Sequence, residues 1–355
     1  MKYEKIQLGD VLHYEQPTKY IVQSTRYVND ASLTPVLTAG KTFILGYTKE
    51  TNGILNEGLP VIIFDDFTTA SKFVDFPFKV KSSAMKILRI DNNRADARYL
   101  FYLMQSLQFS VVKHKRHWIS EYSKIEISLP PLVEQKHIAD RLDKVSAFKE
   151  KTLSAIKDTE RLFVSISKDN FADVKNKSET KTVGEICEIE KGQSPIQKTP
   201  AGNYPLVVTA EDRKTANTFQ LDCEAVCIPL VSSTGHGHAS LNRVHYEKGK
   251  FALGNIIVAL IPKYKSGLLA KYLYYYLSYY KDSLLVPLMR GVANMTIPME
   301  EVGTVNVEVP TLNLQKQTVA KLEEVEKLKQ MFLQRQRLVE QYFQSVLKQT
   351  FNLTT

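Results

Sequence analysis

The chain has 355 residues, a formal net charge of +9 and the composition of an ordinary soluble globular protein, so we expect two or more domains and consider a polyanion such as nucleic acid a fitting partner. Three cysteines, an odd number, argue against a disulfide framework and for a reducing compartment. The start of the chain is unlike a signal peptide and no apolar run approaches the roughly 18 residues of a membrane span, so a cytoplasmic protein without a membrane segment is expected.

Residues 1–129 predict a first globular module whose early part is rich in β-structure. Short apolar runs bounded by turn residues predict strands at 61–64 and 85–90. One helix is predicted at 95–113, and a last strand at 125–129 leads to two prolines.

Residues 130–172 predict one long helix. Pro130 and Pro131 can open a helix but cannot continue one, and neither Gly nor Pro interrupts the run that follows, up to Phe171. A helix of about 40 residues is roughly 60 Å long. Because its apolar residues form a single stripe, it needs a partner that covers them.

The polar and charged stretch that follows predicts a linker at 173–181, and residues 182–309 predict a second module. This module has the same plan as the first. Apolar runs predict strands at 225–229 and 255–261, and a helix is predicted at 266–285.

A last strand at 305–309 leads into a second long helix at 310–351. Shifted by 180 residues, 127–171 lies without a gap on 307–351, and thirteen of the 45 pairs are identical. The apolar residues of the second helix recur in a near-heptad seam: Leu322, Val325, Phe332, Val339, Phe343 and Val346. The predicted fold is therefore α+β with an internal repeat, in which two mixed modules alternate with two long helices that cover each other's apolar stripe.

The sequence contains no recognisable catalytic site. An adenine methyltransferase would be expected to show an Asn/Asp-Pro-Pro-aromatic motif and a Gly-rich cofactor loop; neither is present, and the Gly-x-Gly at 235–237 opens no helix. Glu134 and Lys136 match the end of some nuclease motifs. They begin the long helix, however, and Leu314 replaces Glu134 in the second copy.

A zinc site is the next possibility, because Cys223, Cys227, His236 and His238 have side chains that bind zinc. Cys227 lies in a predicted strand. If Cys223 lies on the same strand, the four-residue step places the two sulfurs about 13 Å apart, too far to share one ion. Buried thiols are the preferred interpretation, and no metal site is predicted.

The basic segment 113–118 is the first candidate for DNA binding. It combines three permanent cations, two histidines and the single tryptophan of the chain. Lys and Arg neutralise phosphates, Arg can bond to guanine with two hydrogen bonds, and an aromatic ring can stack on bases or wedge between them. A basic helix end, where cations favour the helix dipole, is the alternative. The candidates are Lys113, Lys115, Arg116, His117 and Trp118.

Two further kinds of loop carry hydroxyls, histidines and cations suited to a DNA groove. In the loop after the helix of the second module, Arg290 and Asn294 are residue types that read base edges, and Gly291 permits close backbone approach. The other loop follows the central strand of each module, where an ordinary polar turn is the alternative. Its candidates are Thr68, Thr69, Ser71 and Lys72 in the first module and Ser232, Ser233, Thr234, His236 and His238 in the second.

One pattern occurs twice in the chain: an apolar strand, the motif Pro-Pro-Leu-x-Glu-Gln-Lys-x-Ile, and a long helix. This pattern resembles the specificity subunit of type I restriction-modification systems. The resemblance covers essentially the whole chain. The first copy of the motif, at 129–138, matches closely. The second, at 309–318, is degenerate because Thr311 replaces the second proline and Leu314 the glutamate.

This resemblance implies that each module is a target recognition domain for one half of a bipartite, asymmetric site on double-stranded DNA. The two long helices would pack as an antiparallel coiled coil, with the modules related by a pseudo-two-fold, and would set the gap between the half-sites. Two modification subunits would supply S-adenosylmethionine and adenine methylation. Two restriction subunits would add translocation and cleavage that depend on ATP and Mg²⁺. The subunit itself would catalyse nothing and bind no cofactor.

Other functions stay open on the sequence alone. One is the specificity subunit of a related system whose partner fuses methyltransferase and nuclease in one polypeptide. Another is a coiled-coil adaptor whose modules bind protein, which would lack the salt-dependent DNA affinity that phosphate contacts produce. A stand-alone enzyme would have to be active without a partner.

Overall fold

The structure is a computed structural model that describes residues 3–40, 42–107, 117–175, 177–210, 212–234 and 237–351. Its fold is α+β, as predicted, and two modules alternate with two long helices. Contacts divide the chain into two units, Met1–Leu153 with Arg335–Thr355, and Ser154–Gln334. Each unit therefore contains one module and parts of both long helices.

The first module is built on small sheets that are antiparallel except for the parallel pair of β3 and β7. Its strands are β1 (Glu4–Gln7), β2 (Leu12–Glu15), β3 (Thr34–Leu37), β4 (Ile44–Thr48), β5 (Val61–Asp65), β6 (Ser71–Val74), β7 (Lys79–Val80), β8 (Met85–Ile90) and β9 (Glu126–Leu129). The strand orders are β2-β8-β5-β6, β4-β3-β7 and β1-β9. The helices are α1 (Ala97–Ser106) and α2 (His117–Ser120), with 3-10 turns at Leu8–Asp10, Pro17–Tyr20 and Tyr122–Lys124. The predicted strands at 61–64, 85–90 and 125–129 are all present.

The first long helix, α3, spans Leu132–Lys175, and the second module follows it. Its strands are β10 (Ser178–Thr182), β11 (Cys187–Lys191), β12 (Tyr204–Val207), β13 (Lys214–Ala216), β14 (Leu221–Pro229), β15 (His245–Leu253), β16 (Ile257–Pro262) and β17 (Asn306–Pro310). One sheet has the order β11-β16-β14-β15-β12-β13, and β10 pairs with β17. The helices are α4 (Val183–Ile186), α5 (Ala270–Leu284) and α6 (Met299–Val302), with a 3-10 turn at Val286–Leu288, before the second long helix, α7 (Leu312–Phe351).

The predicted linker at 173–181 is wrong. The helix α3 continues to Lys175, and β10 pairs with β17 over five residues, just as β1 pairs with β9 in the first module. The sequence of β10, SETKT, is polar because most of its side chains are exposed or half-buried. A strand without a buried face has no apolar alternation, so its sequence is easily mistaken for a loop.

Residues 61–64 of β5 and 225–229 of β14 are continuous apolar runs because both faces of the strand are buried there. On one face of β5, Ile62 and Phe64 pack with Tyr99 and Leu100 of α1. On its other face, Val61 and Ile63 belong to a second core that includes Leu37 and Phe78. Strand β14 has the same plan, with Val226 and Ile228 packed towards α5 and Ala225 and Cys227 in a separate core. This double burial removes the polar alternation of a half-exposed strand.

The long helices run antiparallel within each unit. In the first unit, Leu142 of α3 packs with Phe343 and Val346 of α7, and Lys149 Nζ lies 2.6 Å from Glu340 Oε2. In the second unit, Glu160 Oε1 lies 2.9 Å from Lys329 Nζ, and Lys321 Nζ donates to Asn170 Oδ1 at 3.1 Å. Lys149 and Lys329 are 180 residues apart, as are Glu160 and Glu340. The same two positions of the repeat therefore form the same ion pair in each unit.

Candidate nucleic-acid interface

The candidate loop of the first module is the β5–β6 hairpin. Asp65, at the end of β5, pairs with Met85, at the start of β8. After the other end of β8 the chain reaches α1, and Gln135 at the start of α3 donates to the carbonyl of Arg94. The hairpin therefore lies at the opposite end of the sheet from the start of the long helix, where it is available to a partner.

Hydrogen bonds hold the tip of this hairpin in one conformation. Asp65 Oδ1 accepts the N–H groups of Phe67 and Thr68, each at 2.9 Å. The N–H of Thr69 donates to the carbonyl of Asp65 at 2.9 Å, and Thr69 has a left-handed φ of 59°. The Thr69 hydroxyl donates to the carbonyl of Thr68 at 2.7 Å. Of the two predicted threonines, Thr68 is the exposed one and Thr69 stabilises the turn.

The four predicted residues of this loop border one cleft. Thr68, Thr69, Ser71 and Lys72 line a depression of about 470 Å³ together with residues from the end of α1 and Tyr122. Lys72 lies on β6, and its Nζ is 5.8 Å from the centre of the Phe43 ring. The cleft thus combines hydroxyls with one positive charge, a set of groups that can contact a phosphate backbone.

The prediction that Trp118 stacks on bases is wrong. Its side chain is 2% exposed and packs against Phe64 and Tyr122, with ring centres 5.4 Å and 6.0 Å away. His117 is completely buried, so its ring has no route to DNA in this conformation. Both begin α2 under the sheet, where burial of apolar surface outweighs exposure to a partner. The other candidates of the basic segment, Lys113, Lys115 and Arg116, lie outside the described residues.

A buried carboxylate beneath the hairpin, Asp66, was missed in the sequence. Its Oδ1 accepts the N–H of Trp118 at 2.9 Å, its carbonyl accepts the N–H of His117 at 3.1 Å, and its Oδ2 lies 3.6 Å from Lys86 Nζ. It joins the hairpin to His117 and Trp118, the last two residues of the basic segment. The alternation of side chains along a strand could have predicted that Asp66 is buried, because it follows Phe64 by two residues and so points to the same side of the strand.

In the second module the structure brings the two candidate loops together. The N–H of Ser232 donates to the carbonyl of Met295 at 2.9 Å, and the N–H of Gly237 donates to that of Ala293 at 3.2 Å. Arg290 and Thr296 exchange two backbone hydrogen bonds of 2.8 Å, which close the second loop into a tight turn. Residues 230–234, 237–241 and 290–297 therefore form one surface.

The predicted hydroxyls of the first of these loops stabilise the loop itself. Ser232 Oγ donates to the carbonyl of His238 at 2.6 Å, and Thr234 Oγ1 donates to the same carbonyl at 3.2 Å. Ser233 Oγ accepts the N–H of Asn242 at 2.9 Å. All three hydroxyls form hydrogen bonds within or next to the loop, whereas the side chain of His238 is exposed. His236 lies outside the described residues.

The second loop exposes its tip. Arg290 is exposed and forms an ion pair with Glu301, and Asn294 is exposed as well. Val292, which the sequence analysis did not single out, is 92% exposed. A Cβ on Gly237, whose φ is 77°, would lie 2.4 Å from the carbonyl oxygen of Val292, so glycine is required for the two loops to meet.

A charged cluster lies at the start of β15, next to this surface. Arg213 pairs with Glu247, and its Nη1 lies 3.0 Å from Nδ1 of the buried His245. Burial, then the positive charges of Arg213 and Arg243, lower the pKa of His245 to about 3. His245 is therefore a neutral side chain at physiological pH and adds no positive charge to the surface.

Cys223 and Cys227 both lie on β14, as the argument against zinc assumed. Cys227 is completely buried in the core behind β14. Among the residues that the structure describes, no group of three or more His, Cys, Asp or Glu side chains is arranged to hold a metal ion. In the same part of the chain no helix is both long and apolar enough to cross a membrane.

The chain consists of two modules with the same plan, and each module has its own loops and is followed by a long helix. This arrangement defines the class of protein to which the chain belongs. The profile of the family described as type I restriction modification DNA specificity domain matches residues 1–158 and 175–340. The chain belongs to this family.

Particular relatives resemble the chain over most of its length. The type I restriction enzyme EcoR124I/EcoR124II specificity subunit of Escherichia coli is 33% identical over an alignment of 360 positions, gaps included, that spans 92% of this chain and 87% of that protein. The S subunit of a type I restriction-modification system from M. genitalium has a TM-score of 0.66 at 14% identity, covering 99% of this chain and 97% of that chain. A structure from a study of complex assembly and conformational transition of the type I R-M system has a TM-score of 0.52 at 18% identity, with the same two coverages. At such identities the two structures support a shared fold.

Proposed function

We propose that this chain recognises a bipartite, asymmetric site on double-stranded DNA and directs modification and restriction subunits to it. The observation that carries the proposal is the repeated module with unlike loops. The first module presents a hairpin with Thr68 and Lys72, and the second presents a two-loop surface with His238, Arg290 and Asn294. Because the loops differ, each module would read a different half-site.

The side chains of these loops suit two kinds of DNA contact. Lys72 and the formal net charge of +9 favour the phosphate backbone. Asn294 can form two hydrogen bonds with adenine, and Arg290, once it leaves Glu301, can form two with guanine. In this proposal the backbone contacts position each module and the base contacts give it specificity.

The chain itself is not an enzyme in this proposal. Two modification subunits bind to it and contribute S-adenosylmethionine and adenine methylation. Two restriction subunits contribute translocation and cleavage that use ATP and Mg²⁺. The long helices set the spacer between the half-sites. The specificity-subunit name of the Escherichia coli relative and the family profile support this division of roles.

The test is a methylome. Genomic DNA of the host is sequenced by a method that detects N6-methyladenine, with the gene present, deleted and restored. We expect one gapped, asymmetric motif to disappear on deletion and to return on complementation. Replacing residues 1–125 with those of a relative should then alter one half of the motif and leave the other unchanged.

A protein-binding adaptor gives the opposite results. Deletion would leave the methylome unchanged, and DNA affinity of the chain with its partners would not depend on salt. DNA recognition through phosphates instead requires affinity to fall steeply as salt rises. An unchanged methylome together with salt-independent binding would overturn the proposal.

A further inference from the structure

Each long helix begins with a buried glutamine at the same position of the repeat. Gln135 and Gln315 are both completely buried. They are identical although the motif around them has changed, with Thr311 in place of Pro131 and Leu314 in place of Glu134. A buried amide is stable only when its donors and acceptor are satisfied, so the partners of these two residues explain why the amide is kept.

Gln135 makes three hydrogen bonds to two backbone segments of the first unit. Its Oε1 accepts the N–H of Asp96 at 2.8 Å, just before α1. Its Nε2 donates to the carbonyl of Arg94 at 3.0 Å and to that of Pro130 at 2.8 Å. The loop that leads into α1 and the proline that precedes α3 are thereby held to one side chain.

Gln315 makes the same three bonds in the second unit. Its Oε1 accepts the N–H of Leu269 at 2.8 Å, just before α5. Its Nε2 donates to the carbonyls of Gly267 and Pro310, each at 2.8 Å. Glutamate has no N–H to donate and an apolar side chain makes none of these bonds, so glutamine alone among side chains of this size and shape completes the set.

The ion pairs Arg98–Asp143 and Lys271–Glu326, by contrast, join a module to a long helix through the ends of flexible side chains. Arg98 Nη1 lies 2.6 Å from Asp143 Oδ2 in the first unit. In the second unit, Lys271 Nζ lies 3.6 Å from Glu326 Oε2. Such side chains can move together, so they tolerate small shifts of the module. The glutamine connects backbone to backbone and tolerates much less displacement.

We propose that Gln135 and Gln315 are positioning residues for DNA recognition. Each holds the helix of its recognition module to the start of a long helix, and so defines where the loops of that module meet DNA and how many base pairs separate the half-sites. The inference rests on the proposed function, because a spacer exists only if the chain reads a bipartite site. The precision of the spacer length would then depend on two side-chain amides that do not contact DNA.

The test uses the full chain assembled with its modification subunits. Gln135→Met and Gln315→Met keep the size of the side chain and remove the amide. Methylation rates are measured on duplexes that carry the native spacer or a spacer one base pair longer or shorter. We expect each variant to lower the preference for the native spacer by about tenfold, with both half-site sequences unchanged. Gln334→Met, an exposed position on α7, is the matched control and should keep the full preference.

The outcomes separate positioning from simple stability. Unchanged spacer preference together with a lower unfolding temperature would overturn the inference and leave a structural role. If a Met variant does not assemble, it is replaced by Gln135→Glu, which keeps the acceptor for the N–H of Asp96. An unchanged preference for the native spacer in that variant overturns the inference as well. Failure of the unmodified assembly to methylate any bipartite duplex would instead overturn the proposed function.

Discussion

At the scale of single residues, His245 couples the stability of the second module to pH. Burial, with Arg213 and Arg243 nearby, lowers the pKa of His245 from an ordinary 6.5 to about 3. The folded chain keeps this histidine neutral, whereas the unfolded chain binds a proton as the pH falls below 6.5. The stabilisation is therefore complete above pH 6.5 and is lost as the pH falls towards 3. We expect His245→Gln to flatten the fall in unfolding free energy over this window, measured by urea unfolding at several pH values.

The exposed His238 provides the control for this experiment, because it differs from His245 in burial. His238→Gln should leave the pH dependence of the wild-type chain intact. Carboxylates also titrate between pH 3 and 6.5, so the difference between the two variants is the decisive quantity. Identical pH dependence in both would contradict the role assigned to His245.

Asp66 gives a second residue-scale prediction. Its side chain and that of Lys86 are 4% and 3% exposed. Asp66→Ala leaves the buried Lys86 ammonium without a carboxylate partner, although Gln16 Oε1 still accepts from it, and removes the acceptor for the N–H of Trp118. Removing one member of a buried pair is strongly destabilising, so we expect a loss of about 3 kcal/mol in unfolding free energy. Denaturant unfolding measures it, and the exposed Asp75→Ala should change the same quantity by less than about 0.5 kcal/mol.

At the scale of elements, the end of α7 belongs to the first unit. Phe343 is 5% exposed and packs on Tyr102 of α1, with ring centres 6.1 Å apart, while its neighbour Tyr342 is 55% exposed. We expect Phe343→Ala to cost about 3–5 kcal/mol because it leaves a cavity against α1. Hydrogen–deuterium exchange should show faster exchange in α1 and little change in β14 and β16. Tyr342→Ala should leave exchange in α1 unchanged, and equal effects of the two variants would show that Phe343 does not support the first module.

The elements also show what a sequence can predict. Strands β5 and β16 were found because burial on both faces makes them continuous apolar runs, and β8 was found because four of its six residues are apolar. The long helices were found because no Gly or Pro interrupts them and the repeat confirms their length. Strand β10 was missed because its pairing with β17 is a property of the fold and leaves no apolar pattern in SETKT. The pattern of apolar and polar side chains in a sequence indicates which residues are buried. It indicates strand pairing only where the pairing buries apolar side chains.

Candidate site residues were harder to predict than elements. Ser232 and Thr234 were correctly predicted to lie in a loop, but their hydroxyls donate hydrogen bonds to a carbonyl of the same loop. Trp118 was expected on the surface because of its basic neighbours, and its burial depends on Phe64, which is distant in sequence. Whether a polar or aromatic side chain is free depends on such long-range contacts, which composition and spacing do not record.

At the scale of the whole molecule, the division into two units predicts independent effects of variants in different modules. Lys72 lies in the first unit and Arg290 in the second. We expect Lys72→Ala and Arg290→Ala each to weaken DNA binding by the assembled complex. Because the two residues belong to different units, we expect the free-energy losses to add within about 0.5 kcal/mol in the double variant. Titration of a duplex that carries both half-sites measures all three losses.

Salt dependence decides what each of these residues does on DNA. A residue that neutralises one phosphate contributes about 0.9 to the slope of log affinity against log salt. Lys72→Ala should reduce the slope by about that amount and weaken all sequences equally. Arg290→Ala should relax discrimination at one base pair of the second half-site if it reads a base edge, with the first half-site read as before. If either single variant loses base discrimination in both half-sites, the two modules do not read DNA independently. That result would contradict the proposal that each module reads one half-site.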